Sequence, residues 1–289
     1  MMKVVACVTA AAFVFSATGS AAPHDRTFWA RTFRFVDTSR TIRMPNGGRV
    51  PRPLVTIVRA PATGGGYPLI VFGHGFALTP ATYARLLNAW SQAGFVVAAP
   101  IFPLGNANAP GGPNESDLVN QPRDMSFVIT KLLALSAGPN GALAGKINPT
   151  RVAVAGHSDG AETALGVAYD RRFRDARVRA AIVMSGAAFP GMASFPARGP
   201  PLLAVQGTAD PINAPANTTA YFRRARRPKF LLWLIGVSHR PPYTTQEPQL
   251  GIVEHTTVAF LDHYFRGKPL RALIEAARIR RLTRLLELP

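Results

Sequence analysis

Only one cysteine, Cys7, stands in the 289 residues, and it lies inside the first apolar run. The rest of the chain therefore has no thiol. That excludes a disulfide framework and a cysteine nucleophile. Acidic residues are scarce too: 15 Asp and Glu stand against 33 Lys and Arg, for a formal net charge of +18. Long apolar runs are missing beyond the N-terminus, so no later segment is expected to span a bilayer. No helix-turn-helix, zinc-finger or RNA-binding signature accompanies the basic charge, which argues against nucleic acid as a partner. There is no internal repeat, and no linker long enough to separate two domains.

The first residues read as an export signal. Lys3 is a minimal basic start, residues 4–14 are apolar, and residues 18–22 (Thr-Gly-Ser-Ala-Ala) are small enough for cleavage. Cleavage is expected after Ala21, since a cut after Ala22 puts Pro23 at the scissile bond. The domain expectation is thus a signal peptide over 1–21 and one catalytic domain over 22–289. A membrane anchor is the alternative, but the apolar run is short for one. Val4-Val5-Ala6-Cys7 only loosely resembles a lipoprotein box. The arginines cluster at 171–179, 223–227 and 266–284. A solvated basic surface is the expected reading, and association with an anionic envelope or membrane the alternative. The sequence is silent on oligomeric state.

An apolar content of 47% suffices for a buried core. Strand-type and helix-type segments alternate, which predicts an α/β fold with a mostly parallel central sheet flanked by helices. Strands are expected at 55–58, 68–72, 95–99, 152–155, 180–184, 202–206 and 230–234. Helices are expected at 80–93, 117–135, 161–168, 252–265 and 270–286. In the last of these, Leu270, Leu273, Ile274, Ala277, Ile279, Leu282 and Leu286 make an apolar stripe, with Arg271, Arg278, Arg281 and Arg284 largely outside it. A helix packed on the core is expected there, with a basic surface-binding helix as the alternative. The segment 185–201 holds no amphipathic helix, so no large lid is expected.

Four pieces of chemistry fall at strand ends. Gly156-His157-Ser158-Asp159-Gly160 lies between a strand and a helix, the context of a nucleophile elbow. The turn strains Ser158, and the two glycines remove the side chains that would obstruct it. Gly73-His74-Gly75-Phe76 follows the 68–72 strand and suits an oxyanion loop, with the Phe76 and Asp159 backbone N–H groups as donors. Asp210 follows the 202–206 strand, and His239 the strand ending near 235. Serine needs a base at neutral pH, so His239 is the expected base and Asp210 its orienting acid. His74 and His157 are read as packed residues. The rival histidines His255 and His263 fall in a helix, and the rival acids Asp117 and Asp124 open another.

These pieces resemble the α/β-hydrolase superfamily. The likeness is greatest to the branch with cutinase-like polyester hydrolases, chlorophyllase-like, platelet-activating-factor acetylhydrolase-like and dienelactone-hydrolase-like proteins. The matching stretches, spread over about 41–267, are 68–76, 94–100, 156–160, 207–210 and Ser238-His239. The resemblance implies an α/β-hydrolase fold, Ser158 as nucleophile, Asp210 as acid, His239 as base and Phe76 and Asp159 as oxyanion donors. It implies carboxylic ester hydrolysis through an acyl-enzyme, on small or polymeric esters, with no cofactor and no metal. Acyl transfer or peptidase chemistry on the same scaffold is an alternative, as is a non-catalytic envelope-binding protein. Two departures stand out. Dienelactone hydrolases use a cysteine that is missing here, and Ser185-Gly186-Ala187 replaces the tryptophan-bearing wall of polyester hydrolases. Phe76, Phe102, Phe189 and Tyr243 are the expected apolar lining of the cleft.

Overall fold

Strand β5 (Ile147–His157) organises the molecule, because it is apolar on both faces. Successive side chains of a strand point to opposite sides. Val152 and Val154 enter one core, while Ala153 and Ala155 enter the other. A strand of this kind needs a helix layer on each side. The computed structural model describes residues 26–288, and β5 lies at the heart of its nine-stranded sheet. The expected signal peptide and its cleavage site lie outside the described residues.

The other strands are β1 (Phe28–Arg43), β2 (Arg49–Pro61), β3 (Tyr67–Gly73), β4 (Val96–Pro100), β6 (Val178–Met184), β7 (Leu202–Gly207), β8 (Lys229–Leu234) and β9 (Thr283–Leu288). Their spatial order is β1-β2-β4-β3-β5-β6-β7-β8-β9. From β4 to β8 all neighbours are parallel, and β1, β2 and β9 add antiparallel edges. The mostly parallel sheet matches the expected α/β-hydrolase fold. The chain runs from β3 outward to β4, then returns to the other side of β3 as β5. This reversal makes the carboxyl ends of β3 and β5 a topological switch point, where open α/β sheets form their sites.

Helices α1 (Ala84–Gln92), α5 (Gln249–Arg266) and α6 (Leu270–Ala277) cover one face through Trp90, Phe260 and Leu273. Helices α2 (Gln121–Ala137), α3 (Asp159–Tyr169) and α4 (Pro215–Arg224) cover the other through Ile129, Leu165 and Tyr221. The 185–201 segment has neither helix nor strand. It folds down onto α3, with Phe195 against Tyr169 and the Tyr169 hydroxyl donating to the Pro200 carbonyl at 2.9 Å. Among the described residues this segment forms no helical lid over the sheet.

Three local expectations are corrected. The helix expected over 80–93 begins as a 3-10 turn, Pro80–Tyr83, and the one over 117–135 begins as another, Glu115–Asn120. The helix expected over 270–286 ends at Ala277, and the chain then reverses through Arg281, with φ at 66°, into β9 on the edge of β8. The stripe over 279–286 therefore belongs to a turn and an edge strand. Strand β1 was not expected at all.

The edge pair β1–β2 is fastened to α2 by charge. Arg52 of β2 is 2% exposed. It donates to both carboxylate oxygens of Asp117 (2.9 and 2.6 Å) and of Asp124 (2.7 and 2.6 Å). Arg40 reaches Asp124 at 2.7 Å. The rival acids thus serve Arg52. Removing the guanidinium leaves buried Asp117 without a cation and buried Asp124 with Arg40 alone. Arg52→Met is expected to destabilise the fold by about 3–5 kcal/mol, measured by urea unfolding. A loss below about 1 kcal/mol would contradict this account of the pair.

Candidate active site

Ser158 joins β5 to α3 with φ at 56° and ψ at −125°. A non-glycine residue held there costs roughly 1–3 kcal/mol and survives only where its surroundings dictate it. Here the surroundings are backbone. A Cβ on Gly156 would meet the Gly160 carbonyl oxygen at 2.0 Å, and one on Gly160 would meet the Gly73 oxygen at 2.0 Å. Two glycines therefore let β3, the elbow and α3 close on one another. The Ser158 side chain emerges half-buried at the N-terminus of α3, whose dipole favours developing negative charge.

Asp210 lies beyond the end of β7, and its side chain has no solvent exposure. Its Oδ1 accepts from the Ile212 and Asn213 N–H groups, each at 2.9 Å. Its Oδ2 accepts from Gln206 Nε2 at 3.1 Å and lies 2.8 Å from His239 Nδ1. Burial pushes this carboxyl's pKa up. The His239 hydrogen bond and charge, with the Asn213 and Ile212 amides, outweigh burial and hold it below the ordinary value. Asp210 is thus an anion beside the imidazole. Gly207 permits this approach, since a Cβ there would meet the Val237 oxygen at 2.5 Å.

His239 stands against the elbow, its ring centroid 4.6 Å from that of His157. Among the described residues Ser158 Oγ has no hydrogen-bond partner, and such contacts commonly tighten only around substrate. Among the described residues the Phe76 N–H donates to no other residue, which leaves it open to an oxyanion, whereas the Asp159 N–H faces its own carboxylate.

The two packed histidines have defined tasks. His74 Nε2 accepts from the Phe102 N–H at 3.1 Å, so Nδ1 carries the proton and donates to the Gly75 carbonyl at 2.9 Å. Burial lowers its pKa to about 4 against the opposing Gly75 bond. His157 is fully buried. Its Nε2–H donates to the His239 carbonyl at 2.9 Å, so its Nδ1 accepts from the Tyr83 hydroxyl at 2.7 Å. Tyr83 in turn accepts from the Gly75 N–H at 3.2 Å. Burial, then the neighbouring His239, lowers the His157 pKa to about 3, so it stays neutral. One chain of hydrogen bonds thus runs from the oxyanion loop, through the elbow, to the histidine loop.

Sequence reasoning missed Tyr83, Gln206 and Asn213. Tyr83 had no visible signal, since its partners are distant in the chain. Gln206 directly precedes Gly207-Thr208-Ala209-Asp210, and its position at a strand end was a usable clue. The expected apolar lining is corrected: Phe102, Phe189 and Tyr243 are core residues, and only Phe76 is exposed. His255 is exposed on α5 and His263 binds the Lys268 carbonyl, both apart from Asp210. Among the described residues no group of three or more His, Cys, Asp or Glu is arranged to hold a metal ion.

A family model described as chlorophyllase matches residues 34–216. The match spans the oxyanion loop, the elbow and Asp210, and ends before His239. The fold is similar to that of the ferulic acid esterase from Streptomyces cinnamoneus, with a TM-score of 0.66 over 86% of this chain and 93% of that one. At 20% identity this likeness speaks for the fold alone. No curated protein matches the sequence.

Tyr83→Phe deletes one hydroxyl and leaves a buried imidazole nitrogen and the Gly75 N–H unpaired. It is expected to cost about 1–3 kcal/mol of stability, read by urea unfolding. It should also lower kcat more than it raises KM, if the loops it joins carry the reacting groups. Unchanged stability and kcat would contradict the bridging role of this hydroxyl.

Proposed function

The chain belongs to the chlorophyllase family, whose members are carboxylic ester hydrolases of α/β-hydrolase fold, and on that footing we propose that it is a serine esterase acting through an acyl-enzyme. The observation that carries this reading is a strained, partly exposed Ser158 on an elbow whose His157 bonds the carbonyl of His239, a histidine already oriented by Asp210.

The chemistry follows from the tautomer. Bonded to Asp210 through Nδ1–H, His239 presents an unprotonated Nε2. It takes the Ser158 proton as Oγ bonds to the ester carbonyl carbon, and the carbonyl electron pair moves onto oxygen. That oxyanion is held by the Phe76 and Asp159 N–H groups, aided by the N-terminus of α3. Collapse expels the alcohol, which takes the proton from His239. Water then repeats the sequence on the acyl-enzyme and releases the acid. Asp210 stays ionised and stabilises the imidazolium between the two transfers.

The low 185–201 segment supports hydrolysis over acyl transfer, since among the described residues it leaves Ser158 partly exposed to water. We further propose that the chain is exported and that the leader is removed after Ala21. The basis is the apolar run at 4–14 and the small residues after it. N-terminal sequencing of the secreted protein should begin at Ala22, and a mature protein that retains Lys3 would overturn this.

Ser158→Ala removes one hydroxyl from a turn and should leave the unfolding curve nearly unchanged. It should lower kcat for nitrophenyl esters by about 10⁴-fold or more. Near-normal turnover by that variant would overturn the mechanism.

A further inference from the structure

In a chain with 33 basic residues, nearly every carboxylate among the described residues has a cationic partner. Asp37, Asp117, Asp124, Asp170, Asp175, Asp262, Glu247, Glu254, Glu275 and Glu287 pair with arginine, and Asp210 with His239. The exceptions are Glu115, Asp159 and Glu162. These three lie together, at the nucleophile. Asp159 directly follows Ser158, and Glu162 stands one turn further along α3. Glu115 comes from the turn ahead of α2 and acts electrostatically on both.

Asp159 is the telling member. It is 7% exposed, and its Oδ2 is buried with no hydrogen-bond partner. An unpaired buried carboxylate oxygen is costly unless something comes to meet it. Burial, then Glu115, raises its pKa to about 6, against its own amide and His239. Glu162 is raised to about 7 by burial, then by Asp159 and Glu115, against the Ala187 N–H that it accepts at 3.3 Å. No Lys or Arg among the described residues neutralises the group, although the protein has a large surplus of them.

We infer that Asp159, Glu162 and Glu115 form a cation subsite beside Ser158, which takes a positively charged substituent of the ester substrate. The inference rests on Ser158 being the nucleophile. A bound cation supplies the charge that the group lacks, beside the unpartnered Asp159 Oδ2. The same carboxylates repel anionic esters, which the basic surface would otherwise gather. The subsite therefore gives the site a charge preference opposite to that of the molecule's surface.

Isosteric ester pairs test this. Choline acetate and 3,3-dimethylbutyl acetate differ only by charge on the alcohol side. The nitrophenyl esters of 4-(trimethylammonio)butanoate and 5,5-dimethylhexanoate differ likewise on the acyl side. In at least one pair, kcat/KM at low ionic strength and pH about 8 is expected to favour the cation by about tenfold, the order set by charges a few ångströms apart in a partly solvated site. The ratio cancels every effect that the two esters of a pair share. It should grow as pH rises through about 6 to about 7, where Asp159 and Glu162 lose their protons.

Glu162→Gln, which keeps an oxygen for the Ala187 N–H, should reduce the ratio, and Glu115→Lys at an exposed position should bring it to about one or below. Glu275→Gln, remote on α6, should leave both rates unchanged. A wild-type ratio of one or less in both pairs, with the neutral esters hydrolysed, would overturn the subsite and leave the esterase reading intact. A ratio that Glu115→Lys and Glu162→Gln do not move would also overturn it. Failure to hydrolyse any of the four esters would count against the catalytic reading itself.

Discussion

The site depends on a neutral, buried histidine that is not itself the base. His157 is the middle link of a chain from the Gly75 N–H, through the Tyr83 hydroxyl, to the His239 carbonyl. Each link has one direction. The His239 carbonyl only accepts, so His157 Nε2 must carry the proton and Nδ1 must receive the Tyr83 hydroxyl. Protonation of His157 would turn Nδ1 into a donor and force Tyr83 to reorient. Burial prevents this by holding its pKa near 3. The three loops that hold the proposed oxyanion donor, nucleophile and base are thereby joined through one ring. The glycines make the geometry possible: Gly156 and Gly160 let the elbow close against β3, and Gly207 lets the histidine loop lie against the end of β7.

Charge is arranged with similar economy. Without disulfides among the described residues, the periphery is held partly by basic side chains that satisfy buried acceptors. Arg52 joins β2 to Asp117 and Asp124. Lys229 on β8 donates to the Phe222, Arg223 and Ala225 carbonyls, at the C-terminal end of α4. Arg266 does the same for the Ala93 and Gly94 carbonyls beyond α1. Much of the arginine surplus read from composition thus has local structural work. At the candidate site the three carboxylates without an ion-pair partner collect, although Arg240 follows His239 directly.

The fold was legible where strands are buried on both faces. The apolar runs of β3 and of β5 to β8 announce themselves, and the motifs at their ends followed from sheet topology. Strand β1 was not legible because only one of its faces is covered: its Arg, Asp, Ser and Thr residues break the apolar run. The 270–288 tail misled because Leu282 and Leu286 continue the helical spacing of Leu270, Leu273 and Ala277. Arg281 instead takes a left-handed conformation and turns the chain onto the open edge of β8. Ser158, Asp210 and His239 were readable one by one, since each carries a local signature. The Tyr83–His157 bridge and the isolation of Glu115, Asp159 and Glu162 were not. Both depend on what lies across the fold, and on what does not.

The central claim is that Ser158 is set apart as a nucleophile by its strained turn and by the loops bridged around it. Peptide mapping after reaction with a fluorophosphonate addresses this directly, because the reagent leaves a stable adduct on an activated hydroxyl. The account predicts one adduct per chain, on Ser158, formed much more slowly in Tyr83→Phe and in His239→Ala. An adduct on another residue, or a wild-type chain that remains unlabelled while it hydrolyses esters, would contradict it.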